Sequence, residues 1–192
     1  ILNLRAYRDS PKKNRLIRRL RLTPQQIVAM TKQKGRQELK KFCSSFLSPY
    51  HGPRLFACNA GSKSGYIDAY GNFQLCTFLR HPATIYDLNR GSLQRAMSDF
   101  APQIRKLETN SQIYLSRCAR CFLKGLCEQC PAKSWLESGT LDTPVEYLCE
   151  IAHAQARDLG LLQGKERAWE ISKTQKEIKK IGELYGDELN HE

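Results

Sequence analysis

The sequence predicts an α+β fold in which a small β-hairpin is set among helices. Three observations predict it. Two β-rich runs, Gly65–Tyr70 and Phe73–Leu79, flank Gly71-Asn72, a pair suited to a tight reversal. Helix-opening signals, Thr23-Pro24-Gln25-Gln26 and Thr143-Pro144-Val145-Glu146, lie on either side of that hairpin. Seven of the eight cysteines recur between Cys58 and Cys149, four of them at short spacing, so the middle of the chain has the means to gather thiolates around a soft metal.

The elements follow in order. Residues 1–6 are apolar and suit a short strand, and Asp9-Ser10-Pro11 reads as a turn and a helix start. Leu16, Ile17, Leu20 and Leu22, set among arginines, suit one buried face. The Thr23 capping box with Pro24 at the first helical position should open a helix through about Lys34-Gly35. A further helical stretch is expected over 36–46, and the loop Ser48-Pro49-Tyr50-His51-Gly52-Pro53 is the expected boundary. The hairpin follows, its reversal needing Gly71 and its second strand holding Cys76. Residues 92–107 read as a helix with Leu93, Met97, Phe100 and Ile104 as its core stripe. A loop carries Cys118 to Cys130. The Thr143 capping box then places Cys149 in the second turn of a helix. Residues 165–184 suggest a final charged helix with a sparse stripe of Ile171, Ile178, Ile181 and Leu184. The expected units are 1–54, 55–152 and 153–192.

A chain of 192 residues can bury a real core, so disulfide staples are not needed for folding. Residues 1–54 contain 14 Lys and Arg against 2 Asp and Glu, and residues 55–192 contain 17 of each sign, so the whole formal excess of +12 sits in the first quarter. Such a block can contact nucleic acid, an acidic partner or a membrane surface. It has no interleaved stacking aromatics and no nucleic-acid motif, which argues against nucleic acid. A solvated helix face or a surface packed on other sequence accounts for it more simply. There is no membrane-spanning apolar run and no export signal, so a cytoplasmic protein is expected.

The cysteine pattern is Cys58-x12-Gly71-x4-Cys76, then Cys118-x2-Cys121-x5-Cys127-x2-Cys130, then Cys149. Disulfides suit it poorly, because C-x2-C is a strained local pair and the expected compartment is reducing. One four-thiolate zinc site could use Cys118, Cys121, Cys127 and Cys130 but would leave Cys58, Cys76 and Cys149 over. Iron–sulfur clusters use more of the set. In bacterial two-cluster ferredoxins the last cysteine of such a run, followed by proline, ligates the other cluster, and Cys130 precedes Pro131. The same crossover would put Cys118, Cys121, Cys127 and Cys149 on one cluster, and Cys58, Cys76 and Cys130 on a second.

This arrangement resembles the seven-cysteine pattern of the SPASM domain, the C-terminal extension of many radical S-adenosylmethionine enzymes that modify peptides and proteins. Asn59-Ala60-Gly61, the hairpin before Cys76 and Asp87-Leu88-Asn89 agree with it. The resemblance covers about residues 56–152, and the last gap of the run is two residues where the family usually has three. It implies a hairpin and helices wrapped around two auxiliary [4Fe–4S] clusters, preceded by the helical tail of a partial (β/α) barrel in residues 1–54. The family's catalytic C-x3-C-x2-C triplet is absent from this sequence, so no catalytic residue and no S-adenosylmethionine-binding residue is assigned here. With Ile1 in place of Met, the chain is expected to be the C-terminal part of a longer enzyme. Implied partners are a peptide or protein substrate and an electron donor such as ferredoxin or flavodoxin.

The second cluster then lacks a fourth ligand. Cys43 is one candidate; a non-cysteine ligand or an open iron is the alternative. Related sulfatase maturases carry an acidic residue after the G-x4-C cysteine, where this chain has Thr77, which counts against that chemistry. His51, His81, His153 and His191 are scattered and read as surface or structural residues. The reading from a different class is a zinc-stabilised cysteine-rich module whose basic arm contacts nucleic acid or an acidic partner.

Overall fold

The computed structural model describes residues 11–32 and 52–172. The expected strand at 1–6, the helix at 36–46, Cys43, His51, His191 and everything after residue 172 lie outside the described residues.

Two helices open the described chain, α1 (Pro11–Arg19) and α2 (Pro24–Lys32). The capping box at α2 is formed in both directions: the Thr23 N–H donates to Gln26 Oε1 at 2.8 Å, and the Gln26 N–H to Thr23 Oγ1 at 3.3 Å. The single buried face expected for Leu16 to Leu22 is not found. Leu16 and Leu20 are 54% and 60% exposed, and Ile27 of α2 is the residue that enters the core.

The hairpin is shorter than its β-rich sequence suggests. Strands β1 (Tyr66–Ile67) and β2 (Asn72–Gln74) pair antiparallel with Ile67 opposite Phe73. Gly71 reverses the chain at φ +80°, in the left-handed region that side chains rarely adopt. The Asp68 carboxylate holds the turn, accepting from the N–H groups of Tyr70 and Asn72. A third strand, β3 (Ile85–Asp87), pairs antiparallel with β2 to give the order β1-β2-β3. Three residues carry no readable alternation, so β3 had no sequence signal. Cys76 corrects another expectation: it lies in the bend after β2 and not in the strand.

The helix expected over 92–107 is present as α3, built from Leu93–Arg95, a wide turn Ala96–Phe100 and Ala101–Arg105. The wide turn has a cause. Pro102 has no N–H to donate back along an α-helix, and the turn widens so that the Ala101 N–H meets the Ala96 carbonyl five residues earlier. This inserts a phase shift. Ala96 and Ala101 are fully buried and Ile104 nearly so, whereas Leu93 is 49% exposed and Met97 and Phe100 lie at the edge of the core. The stripe drawn at a constant 3.6-residue period is therefore only partly the core face.

The expected loop from Cys118 to Cys130 contains regular turns. A second wide turn, Tyr114–Cys118, leads into α4 (Lys124–Cys127), and α5 (Pro131–Ser138) follows. The last described helix is α6 (Glu146–Asp158). Its first turn is not capped by Thr143. The Val145 N–H is instead satisfied by the Gln129 side chain at 3.2 Å. Cys149 consequently closes the first turn, its N–H meeting the Val145 carbonyl, and not the second. Helix α6 runs through the expected boundary at residue 152. Residues 165–172 form turns and not the start of a charged helix.

The buried apolar side chains of the described residues form two larger cores and a small cluster of Leu55, Tyr114 and Ala119, on which Cys118 rests. One larger core packs Phe122, Leu123 and Leu126 against Ala152, Ala156, Leu159, Leu161, Leu162 and Ala168. The other packs Phe73, Leu75 and Leu79 of the hairpin region against Ala96, Ala101, Ile104 and Ala132. Among the described residues no helix is long and apolar enough to cross a membrane.

Candidate metal centres

The chain between Cys127 and Cys130 crosses from one core to the other. Cys127 packs with the first core and Cys130 with the second. Glu128 makes the reversal at φ +50°, the sole non-glycine residue with positive φ among those described, and its carboxylate pairs with Lys133 at 2.6 Å. Pro131 then starts α5 with Cys130 as its extended N-cap residue, and Gly139 ends it.

On the first side, Cys118, Cys121, Cys127 and Cys149 line one pocket with about 380 Å³ of space between the side chains, part of it open to solvent. Each sulfur arrives on a different feature: the wide turn ending at Cys118, the connection at Cys121 before α4, the end of α4 and the first turn of α6. Leu123, Pro144, Val145, Ala152 and Trp169 make most of the remaining wall apolar. Burial is the first cause raising all four thiols above their ordinary range, Cys118 to about 11 and Cys121 to about 12, and neighbouring sulfurs raise Cys118, Cys121 and Cys127 further. Donors oppose this. The Gln129 N–H meets Cys127 Sγ at 3.4 Å, and Arg117 Nη2 meets Cys149 Sγ at 3.7 Å. No group of three or more His, Cys, Asp or Glu side chains among the described residues is closed up to hold a single metal ion.

On the other side, Cys76 and Cys130 pack on the same apolar core, with Cys76 close enough to raise the Cys130 thiol. Burial raises the Cys130 thiol, and backbone N–H groups of Lys133 and Ala132 at the start of α5 oppose it. Cys58 is exposed. Its segment is nevertheless held, because Arg105 Nη1 donates to the carbonyls of Cys58 at 2.8 Å and Ala60 at 2.5 Å. Gly61, at φ +72°, lies so close to Leu75 that no side chain fits there. Phe56 and Ala60, either side of Cys58, rest on the core that receives Cys76 and Cys130.

Four residues around the first pocket were missed. His153 reads as a scattered histidine, yet it stands one helical turn after Cys149 and is only 1% exposed. Its Nδ1 donates to the Cys149 carbonyl at 2.8 Å, and its Nε2 accepts the Ala168 N–H at 3.2 Å. Both nitrogens are therefore used in the neutral tautomer, and burial lowers its pKa below the ordinary histidine value. Arg117 forms a two-pronged pair with Glu146 at 2.6 and 2.9 Å and lies over the Trp169 ring at 4.5 Å. Lys124 is 4% exposed and donates to the Tyr114 hydroxyl, which donates to the Arg54 carbonyl at 3.1 Å. Only the i,i+4 spacing of Cys149 and His153 offered a signal in the sequence; Arg117, Lys124 and Tyr114 look like ordinary residues of a basic chain.

The remaining candidates are less placed. Thr77 is exposed beside Cys76, and His81 caps the short turn Pro82–Thr84 through Nδ1 to the Ala83 N–H at 3.2 Å. Part of the basic N-terminal excess is docked. Arg21 pairs with Glu137 of α5 and lies over Tyr147 of α6, whose hydroxyl donates to the Leu22 carbonyl at 3.0 Å. No family model, curated protein or solved structure matches this chain.

Proposed function

We propose that residues 55–152 are the auxiliary-cluster domain of a radical S-adenosylmethionine enzyme of the SPASM type, acting on a peptide or protein. Cys118, Cys121, Cys127 and Cys149 would hold one [4Fe–4S] cluster, and Cys58, Cys76 and Cys130 a second. The observation that supports this reading is the separation of Cys127 from Cys130. Cysteines three positions apart face different cores, and Cys149 joins the three local thiols of Cys118, Cys121 and Cys127 in one pocket while Cys130 packs with Cys76. A single zinc site built from the run Cys118–Cys130 would need Cys127 and Cys130 together.

The donor set suits the proposed groups. The first pocket offers four sulfurs, N–H donors to two of them and apolar walls, the surroundings that tune such a centre. When bound there, [4Fe–4S] clusters supply one-electron transfer. The chain's own contribution is to hold and shield. His153 anchors the turn carrying Cys149, the Gln129 N–H faces Cys127 Sγ, and Trp169 with Val145 and Leu123 limits water. The exposed Cys58 and Thr77 leave the second group accessible to a substrate or to a fourth ligand. Cleavage of S-adenosylmethionine is assigned to residues outside this chain, and reducing equivalents to a ferredoxin or flavodoxin in the cytoplasm.

Anaerobically prepared and reconstituted protein should be brown and contain about eight irons and eight sulfides per chain. Colourless protein that instead retains stoichiometric zinc would overturn the reading.

A further inference from the structure

A buried lysine needs an anionic partner, and Lys124 has none of the usual kind. Its side chain is 4% exposed, in a pocket wall whose other polar side chains, besides the cysteines, are Arg117, Gln129 and His153. Its ammonium donates to the Tyr114 hydroxyl and, at 3.5 Å, to the Arg54 carbonyl, both neutral groups. No carboxylate pairs with it among the described residues. Lys124 lines the same pocket as Cys118, Cys121, Cys127 and Cys149, and its carbonyl meets Cys127 Sγ at 3.5 Å. An ammonium buried among neutral groups is costly, and an adjacent negatively charged centre offsets that cost.

We infer that Lys124 is the built-in counter-charge of the four-cysteine centre, with Arg117 at the Cys149 sulfur as its second member. The inference rests on the cluster reading above. A four-thiolate cluster carries net negative charge and gains one more on one-electron reduction. Cations lining the same pocket favour the reduced form and raise the potential. Arg117 is the weaker of the two, because it is paired with Glu146 and less buried. Lys124 is therefore a positioning and tuning residue whose effect on stability should reverse between the metal-free and loaded protein.

The test uses the full chain, reconstituted anaerobically, with Lys124→Met, Lys124→Arg and Arg117→Gln variants. Each is titrated with dithionite and followed by electron paramagnetic resonance. The component to follow is the one lost in Cys121→Ser. Lys124→Met should move its midpoint to a more negative value and Lys124→Arg should leave it near the starting value. Arg117→Gln should shift it in the same direction by less. In metal-free protein Lys124→Met should be at least as resistant to urea as the parent, because the Tyr114 hydroxyl keeps its bond to Arg54. An unchanged midpoint in fully loaded Lys124→Met would overturn the inference. So would equal shifts in the Met and Arg variants, or destabilisation of the metal-free Met variant, which would mark a purely structural role. If Lys124→Met loses this component but Lys124→Arg keeps it, the charge requirement stands; if both lose it, the inference fails. A parent protein that binds no iron at these cysteines removes the cluster reading itself, and this inference with it.

Discussion

Gln129 shows how much one side chain can organise here. Its amide oxygen accepts the Val145 N–H at the start of α6, and its nitrogen donates to Ser134 Oγ at 2.6 Å and to the Thr143 carbonyl at 3.4 Å. It thus ties the reversal after Cys127 to the turn that presents Cys149. Gln129→Ala should cost about 1–3 kcal/mol in urea unfolding of the metal-free protein, since buried groups at three positions lose a partner; a change below about 0.5 kcal/mol would contradict this role. Ordinary spacing rules make the cysteines legible as ligand candidates, because their pattern is local and rare. Gln129, Lys124 and Arg117 are not legible in that way, since their meaning comes from residues 10 to 32 positions away.

At the scale of elements, the capping signals separate local from non-local causes. The Thr23 box forms as written because both partners lie within four residues. The Thr143 box does not, because Thr143 is engaged with Thr140, and Gln129 supplies the cap instead. In α3 the hydrophobic pattern marks the helix correctly, and Pro102 then changes its phase. This phase is testable. Ala101→Leu should cost about 1–3 kcal/mol by overpacking a filled site, whereas Leu93→Ala should stay within about 0.5 kcal/mol. Comparable losses for the two would restore the uninterrupted stripe and reject the wide turn. Strand β3 and helix α5 were not legible, both being short: three residues and eight.

For the molecule as a whole, the described residues form a mixed helical and antiparallel structure whose two larger cores receive Cys121 and Cys127 on one side and Cys76 and Cys130 on the other, with Cys118 on a third, smaller cluster. The N-terminal helices are attached in part by the Arg21–Glu137 pair, both side chains largely buried. Glu137→Gln should speed amide exchange in α1 and α2 while leaving α6 unchanged; exchange unaltered in both places would show that this pair does not anchor them. The Arg117–Glu146 pair adds a modest dependence on acidity. Its hydrogen bonds to Arg117 lower the Glu146 pKa, so its contribution is present above the ordinary glutamate range and fades as pH falls through the lowered value. Glu146→Gln should flatten the acid side of the stability profile and leave the neutral side little changed, because the carboxylate is well exposed.

The central claim is that Cys127 and Cys130, three positions apart, serve different metal centres. The most direct measurement is iron content and electron paramagnetic resonance of reduced, anaerobically reconstituted Cys127→Ser and Cys130→Ser proteins, side by side. The account predicts that each variant loses a different spectral component. Loss of the same component in both, with the other untouched, would place the two cysteines on one centre and contradict it.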